Sequence, residues 1–452
     1  MEKKDENNKE KKSLMGTPVS RRDFSRIAMA VGVTSTLFAW DSFAQAGTSP
    51  SATMLAQKAK DIEKERTATK AKYRFRYGAA GHSEDTTWVA KSGSLDFVRE
   101  LEERSDGEIR VDYLGSNTIC GEMDCGEKAA HGIIDFYLAS TNNASTTFPY
   151  LLNLDWGALW QNRAQLYSFC YDHRSEKLYR EPMRRLYNIE MLFGDYGLRG
   201  FFLGKSKYGP GTPVVDTLEK LQKTNAKIRT TGTFFGLESM RLMGVNPVAI
   251  SYEEVVDAVR QGAIDGAEAW EVPFSMIRFT EYTGQYLYLK YCSGNWITGM
   301  NYKKLKSLPT SVQETIMEAA YLTQVGVHGK QEAAIYIKAG SGDTENPPVG
   351  SEHWINNIRN VIWSDEEYDK LEKLISPKYN PDPWKTHRER QNKLYGQGDI
   401  FEEMYAVARE VPANAYAIDV SPHRWWKPNP SWWKDGVWKR GTGLFVKRTQ
   451  RA

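Results

Sequence analysis

Four cysteines and seven histidines are the chain's stock of thiols and imidazoles. The histidines, His82 and His131 among them, include no pair at metal-ligand spacing, so a His/Cys metal centre has little to build on and no bound metal is expected. The sequence carries no H-E-x-x-H, no G-x-S-x-G, no C-x-x-C-H and no dinucleotide-binding glycine fingerprint. Acidic side chains are abundant, but no pair is singled out for acid–base work. No cofactor motif is found, and the chain does not read as an enzyme. Cys120 and Cys125 are close enough in sequence to pair across a short turn, which an oxidising compartment would permit. Cys170 and Cys292 read at least as well as small buried apolar residues, and spacing alone does not choose among the possible pairings.

The most specific local signal is Ser20-Arg21-Arg22-Asp23-Phe24, which matches a twin-arginine export motif. A polar, charged stretch precedes it and a mildly apolar one, Ile27 to Phe38, follows. Ala44-Gln45-Ala46 then supplies a small-x-small cleavage pattern. Residues 1–46 are therefore expected to be a signal peptide, and the remainder a periplasmic protein. No later run approaches the 18 or so consecutive apolar residues of a membrane-spanning helix. The net charge of +3 is small and Lys and Arg are spread, so no nucleic-acid footprint is present. At 452 residues, 40% hydrophobic and 12% aromatic, the chain has length and apolar content for two cores.

The elements that must position any site follow an α/β grammar. After a linker and charged helix over 47–71, Tyr73 to Tyr77 alternates like a strand. A helix over Asp85 to Arg104, a strand at Ile109 to Tyr113, a helix over Glu122 to His131 and a buried strand at Ile133 to Ala139 follow. The order then repeats. Gly197 to Leu203 reads as a strand, Asp216 to Lys223 as a helix and Lys227 to Arg229 as a strand. Phe234 to Met243 reads as a helix, Ser251 and Glu254 as a capping box for Tyr252 to Gln261, and Ile264 to Trp270 as a strand. Gly132-Ile-Ile-Asp135 and Gly262-Ala-Ile-Asp265 occupy the same helix-to-strand junction in each half, and the same offset carries Ser140 onto Trp270. Such alternation implies two lobes, each a mainly parallel sheet flanked by helices. Ligands of open α/β sheets bind beyond the carboxyl ends of strands, so two such faces make a cleft that can close on a solute. A long helical region from Leu308 to Ala339, a strand at Val361 to Ser364 leading into a helix, and a helix over Asp399 to Glu410 come next. The expected division is 72–196 with about 297–335 in the first lobe and 197–296 with about 340–410 in the second, followed by a Trp-rich extension at 411–452.

Three stretches together resemble the solute-binding proteins of TRAP (tripartite ATP-independent periplasmic) transporters, of the DctP type. They are Leu101-Glu-Glu-Arg-Ser-Asp-Gly-Glu-Ile-Arg-Val, then Ala130-His-Gly-Ile-Ile-Asp-Phe, and the longer run made of Lys227-Ile-Arg-Thr, Met243-Gly-Val-Asn-Pro-Val and Glu253 to Glu268. The family pattern in the last run is a K-x-R strand, a G-A-x-P turn and a helix ending in G-x-x-D-G-x-E. The resemblance covers roughly residues 72–335 and implies a type II-like two-lobed binding protein without a cofactor. It also implies an organic acid as ligand and the membrane permease subunits of a secondary transporter as partner.

The resemblance places the carboxylate-binding arginine at Arg229, and a planar guanidinium can hold a carboxylate through two parallel hydrogen bonds. Arg199 matches a second polar contact, with an ion pair between lobes as the equal alternative. Glu268 and Trp270 fall at the end of the D-G-x-E strand, where Ala269 replaces the Asn of many members. A keto-acid-binding subgroup holds a cation with a Gln, this Glu and the next Trp. Here Arg199 stands at the Gln position and the Trp is shifted by one, which argues against a metal. Tyr252 corresponds to an aromatic wall. Trp296 and Trp88 read as cleft walls or core residues, and Ser140 and Asn143 as hydrogen-bonding residues at the end of the first-lobe strand. An ABC-type binding protein or a ligand-sensing component would use the same architecture, and the motif run favours the TRAP reading.

Overall fold

The computed structural model describes residues 70–80 and 93–430 except 232, 233, 253 and 343, with isolated positions at 57, 61, 64 and 68. The twin-arginine motif, the cleavage site, Trp88 and residues 431–452 lie outside the described residues.

The first half builds β1 (Tyr73–Ala79), α1 (Ser94–Arg104), β2 (Ile109–Leu114), α2 (Cys125–Ala130) and β3 (Phe136–Ser140). β1 pairs in parallel with both β2 and β3. Phe75, Tyr77, Val111 and Phe136 pack with Phe97 and Leu101 of α1, which is what the alternating strands and the helical spacing require. Next come α3 (Arg163–Tyr171), β4 (Ile189–Leu198), β5 (Gly200–Gly204), α4 (Leu218–Thr224) and β6 (Lys227–Thr230). They are followed by α5 (Phe234–Leu242), β7 (Asn246–Ala249), α6 (Val255–Arg260) and β8 (Gly266–Ala269). The rest comprises α7 (Glu271–Met276), β9 (Thr283–Leu287), β10 (Ser293–Asn301), α8 (Thr310–Ala333), β11 (Arg359–Val361), α9 (Asp365–Ile375), α10 (Lys385–Tyr395) and α11 (Ile400–Arg409). One sheet runs β2-β1-β3-β10-β4 and the other β11-β9-β5-β8-β6-β7.

Two expectations are corrected here. The strand expected over Gly197 to Leu203 is two strands in different sheets: β4 ends at Leu198, β5 begins at Gly200, and Arg199 lies between. Asn295 and Trp296, expected in the second lobe, belong to β10, which pairs antiparallel with β3 and β4 of the first sheet. The chain therefore crosses at Arg199 and returns just before Ser293. Gly197 to Leu203 is apolar but for Arg199, and a single arginine inside such a run does not by itself mark a change of sheet. These crossing strands bring antiparallel pairs into both sheets: β5 runs antiparallel to β8 and β9, while β6 is parallel to β7 and β8.

The capping box also differs. The Ser251 hydroxyl donates to the Glu254 carboxylate at 2.9 Å, and α6 starts at Val255 without a side-chain cap. Elsewhere capping works as the residue types suggest. Ser364 begins α9 and Asp399 begins α11, each accepting from a backbone N–H of the first turn. Cys120 and Cys125 form a disulfide, and Cys170 and Cys292 are buried thiols.

The repeated Gly-x-x-Asp step does the same work twice. Gly132 and Gly262 adopt φ of +76° and +71°, the left-handed turn that glycine takes without strain after a helix. The Asp135 N–H then donates to Arg76 O at 2.9 Å, and its carboxylate accepts the Arg76 N–H at 2.7 Å. Asp265 repeats this with Lys227, at 2.8 Å and 3.0 Å. Each aspartate thus ties a helix-to-strand junction to the neighbouring parallel strand, at the middle of β1 in the first lobe and at the start of β6 in the second.

Burial opposes ionisation of Asp265, but the Lys207 ammonium at 2.5 Å and the Lys227 N–H hold its carboxyl below the usual range. Asp265→Ala should cost about 1.5–3 kcal/mol, the range for a hydrogen bond to a charged group, read as a lower urea midpoint. Because the folded value is depressed, this contribution is present above the unfolded carboxyl's pKa of about 4 and fades as the pH falls through the folded value. The gap between wild type and variant should therefore close in acid. A gap that persists at about pH 2 would contradict the assignment.

Candidate functional site

β6 brings Arg229 to the carboxyl end of the second-lobe sheet. Ile228 faces the core with Leu221 and Met240. Alternation puts Arg229 on the opposite face, in register with Val248 of β7 and Ala267 of β8. Ala269, two residues beyond Ala267, shares that face. The Arg229 side chain is buried, and its Nε–H donates to Ile250 O at 2.8 Å. Burial around a directed guanidinium suits recognition of a planar anion. Tyr252 is half-buried beside the end of β7, and its hydroxyl donates to Pro273 O at 2.6 Å, tying that turn to α7.

Arg199 stands at the crossing between sheets, and each of its three nitrogens has a protein acceptor. Nε donates to Ser293 O at 3.1 Å, Nη1 pairs with the Glu268 carboxylate, and Nη2 bonds Asn142 Oδ1. Burial works against its charge, but Glu268 more than offsets this and holds the guanidinium charged. Glu268 also accepts the Thr231 N–H at 3.3 Å and the Tyr291 hydroxyl at 3.4 Å. Asn142 donates onward to Asp155 at 2.9 Å, and the Ser293 hydroxyl donates to the same carboxyl at 2.8 Å. Burial pushes Asp155 up to about 7, with Arg199 and the Ser293 hydroxyl pulling the other way. The result is a buried polar network joining the turn after β3, both crossings and β8.

Trp270 leaves β8 and reaches the first sheet. Its indole covers Gly197 of β4 and Gly294 of β10, which are paired in register, and a Cβ on either glycine would overlap the ring. Arg199 lies 5.3 Å from the ring centroid, and Trp296 meets it edge to face at 5.2 Å. Trp296 pairs on β10 with Ser140 on one side and Asp195 on the other. Both Asp195 oxygens and the Trp270 indole nitrogen are buried without a hydrogen-bond partner among the described residues. Burial, and then the Glu332 charge, push Asp195 up to about 8.

The structure thus gathers Arg199, Glu268, Trp270 and Trp296 at the junction of the lobes, with Arg229 and Tyr252 at the end of β6 and β7. Ser140 and Asn143 serve the short helix Thr141–Ala144, in which Ser140 Oγ accepts the Asn143 N–H at 3.2 Å. The side chain from that turn that reaches Arg199 is Asn142. Asn142, Asp155, Asp195, Tyr291 and Ser293 are absent from the sequence-derived site. Asn142 adjoins Asn143 and Ser293 opens β10, so only knowledge of the sheet crossing would have brought them in.

Two α/β lobes joined by crossing strands, with buried arginines at their junction, define a two-lobed solute-binding architecture. Residues 80–334, more than half of the chain, match the family of bacterial extracellular solute-binding proteins, family 7 (DctP), and the chain belongs to that family. A relative from Salmonella typhimurium, the uncharacterised protein YiiZ, is 25% identical over 229 residues, covering 50% of this chain and 67% of its own. A TRAP periplasmic solute-binding protein from Shewanella oneidensis, solved with succinate, superposes with a TM-score of 0.57 at 16% identity, over 74% of this chain and 99% of its own. Another from Anaerococcus prevotii, solved with glucuronate, gives 0.59 at 17% identity, over 75% and 99%. At such identities the likeness is one of fold.

Gly197→Ala and Gly294→Ala should each lower stability by about 1–3 kcal/mol, the cost of overpacking, measured by urea unfolding. Combining either with Trp270→Ala should cost less than the sum, and strict additivity would contradict contact with the indole. Asp195 supplies a pH signature. Its unfolded pKa is about 4, so between that value and about 8 the folded state holds a proton that the unfolded state lacks. Its contribution is fully present below the unfolded value and is lost as the pH rises through about 8. Asp195→Asn should flatten that decline in the urea midpoint. An unchanged slope would show that the carboxyl titrates normally.

Proposed function

We propose that the protein is the periplasmic solute-binding component of a TRAP-type secondary transporter. It binds a small organic carboxylate in the cleft between the lobes, with Arg229 as the anchor, and delivers it to a membrane permease. The observation that carries this reading is the buried, directed Arg229 guanidinium at the carboxyl end of β6, in a chain of this family. Solved relatives hold succinate, galacturonate and glucuronate, all organic acids. The twin-arginine motif supports export, and no helix among the described residues is long and apolar enough to cross a membrane.

In this reading Tyr252 walls the anchor. Trp270 and Trp296 wall the junction. Ser140 and Asn143 offer polar contacts from the first lobe, while Arg199 and Glu268 set the geometry between lobes. There is no chemical step. The solute favours the closed form only through its better affinity for that form, and closure presents a new surface to the permease.

A thermal-shift screen of the mature protein against small carboxylates tests this. A ligand at 100 times its dissociation constant adds about 2.7 kcal/mol of stability. At least one acid should raise the melting temperature by several degrees. Arg229→Ala should abolish the shift, and Arg229→Lys should weaken it by losing the bidentate geometry. A stabilising acid that acts equally on Arg229→Ala would remove the anchor. A folded wild type that responds to neutral solutes and to no acid would sink the carboxylate reading.

A further inference from the structure

The two arginines of the cleft are not equivalent. Arg199 is already committed to the Glu268 carboxylate, to Asn142 Oδ1 and to Ser293 O. Glu268 is fixed in turn by Tyr291 and by the Thr231 N–H, two residues beyond Arg229. Both partners of the pair are almost completely buried, at 4% and 1% side-chain exposure. A solute carrying two carboxylates, one on Arg229 and one on Arg199, would bring its second charge against Glu268 where water cannot screen it. Displacing Glu268 from Arg199 would instead strand a buried carboxylate. A hydroxyl, amide or amine of the solute meets no such penalty, because the Glu268 carboxylate is an acceptor. On the Arg229 face, Ala269 adds neither a charge nor a hydrogen-bond donor.

We infer that the solute is a monocarboxylate, and that Glu268, by neutralising Arg199, is the residue that excludes dicarboxylates. This rests on the carboxylate-binding reading above and narrows it.

Titration calorimetry of the mature protein with matched acids tests the inference: butanoate against succinate, 2-hydroxybutanoate against malate, and D-glucuronate against D-glucarate. In the best-bound pair the monoacid should bind about 100-fold more tightly or better, a ratio set by differential penalty rather than by size. E268Q keeps the shape and removes the charge, and should narrow the ratio to about tenfold or less by admitting the diacid. Because E268Q breaks a buried ion pair, the wild-type ratio is read first and decides by itself. A wild type that binds a diacid as tightly as its monoacid overturns the selectivity and leaves the anchor standing. An E268Q protein that folds and keeps the wild-type ratio overturns the role of Glu268. Failure of every acid to bind a cooperatively melting wild type overturns the anchor, and the selectivity with it.

Discussion

A guanidinium buried where the chain passes from one sheet to the other constrains the structure around it. Arg199 cannot reach water, so its donors must find acceptors, and those acceptors come from three places: the turn after β3, the start of β10 and the end of β8. One side chain therefore fixes the outgoing crossing, the returning crossing and the strand that ends at the cleft. Losing one partner of such a pair typically costs about 3–5 kcal/mol because the other charge stays buried. The polar network thus acts less as a source of net stability than as a condition on how the lobes meet.

The apolar counterpart of that condition is the indole of Trp270 on Gly197 and Gly294. Glycine inside a strand loses packing and backbone entropy, so a paired glycine in two adjacent strands needs a reason. Here the missing side chains make the floor on which a second-lobe tryptophan rests. The same ring lies under Arg199, so the polar and apolar contacts between lobes share a side chain. A tryptophan placed from sequence at the end of the D-G-x-E strand, among the ligand contacts, is in the structure first of all a contact between the two sheets.

Local patterns carried much of the fold. Alternation gave β1, β2 and β6, and the two Gly-x-x-Asp steps marked junctions that the structure builds in the same way, because glycine after a helix and aspartate before a strand are local requirements. Sheet membership was not local. Tyr196 to Leu203 is apolar apart from Arg199 because both sheets bury it, and a lone arginine in such a run does not show that the strand changes sheets there. The site followed the same division. Arg229 and Glu268 sit within motifs, whereas Asn142, Asp155 and Ser293 become partners only once β10 is placed beside β3 and β4. Asp195 escaped notice because the sequence reads as a strand only from Gly197, whereas β4, which carries it, begins at Ile189.

The segment beyond the family match supports the site from outside. Asp155 and Trp156 are consecutive: the first faces the network around Arg199, and the second enters an aromatic cluster. There its ring lies 4.1 Å from Phe235 of α5, 5.7 Å from Trp384 and 5.5 Å from Phe401 of α11, centroid to centroid. Phe235 lies in the first turn of the helix that follows the strand of Arg229, so the cluster joins both lobes through the C-terminal helices. Arg409 of α11 completes the attachment by donating to Ala158 O at 3.0 Å and Leu159 O at 2.6 Å. Core aromatics of this size fix what they touch, since small displacements forfeit much of their dispersion contact. The C-terminal helices therefore hold Asp155 in place through its neighbour, and through Asp155 they reach the hydrogen bonds that orient Asn142 and Arg199.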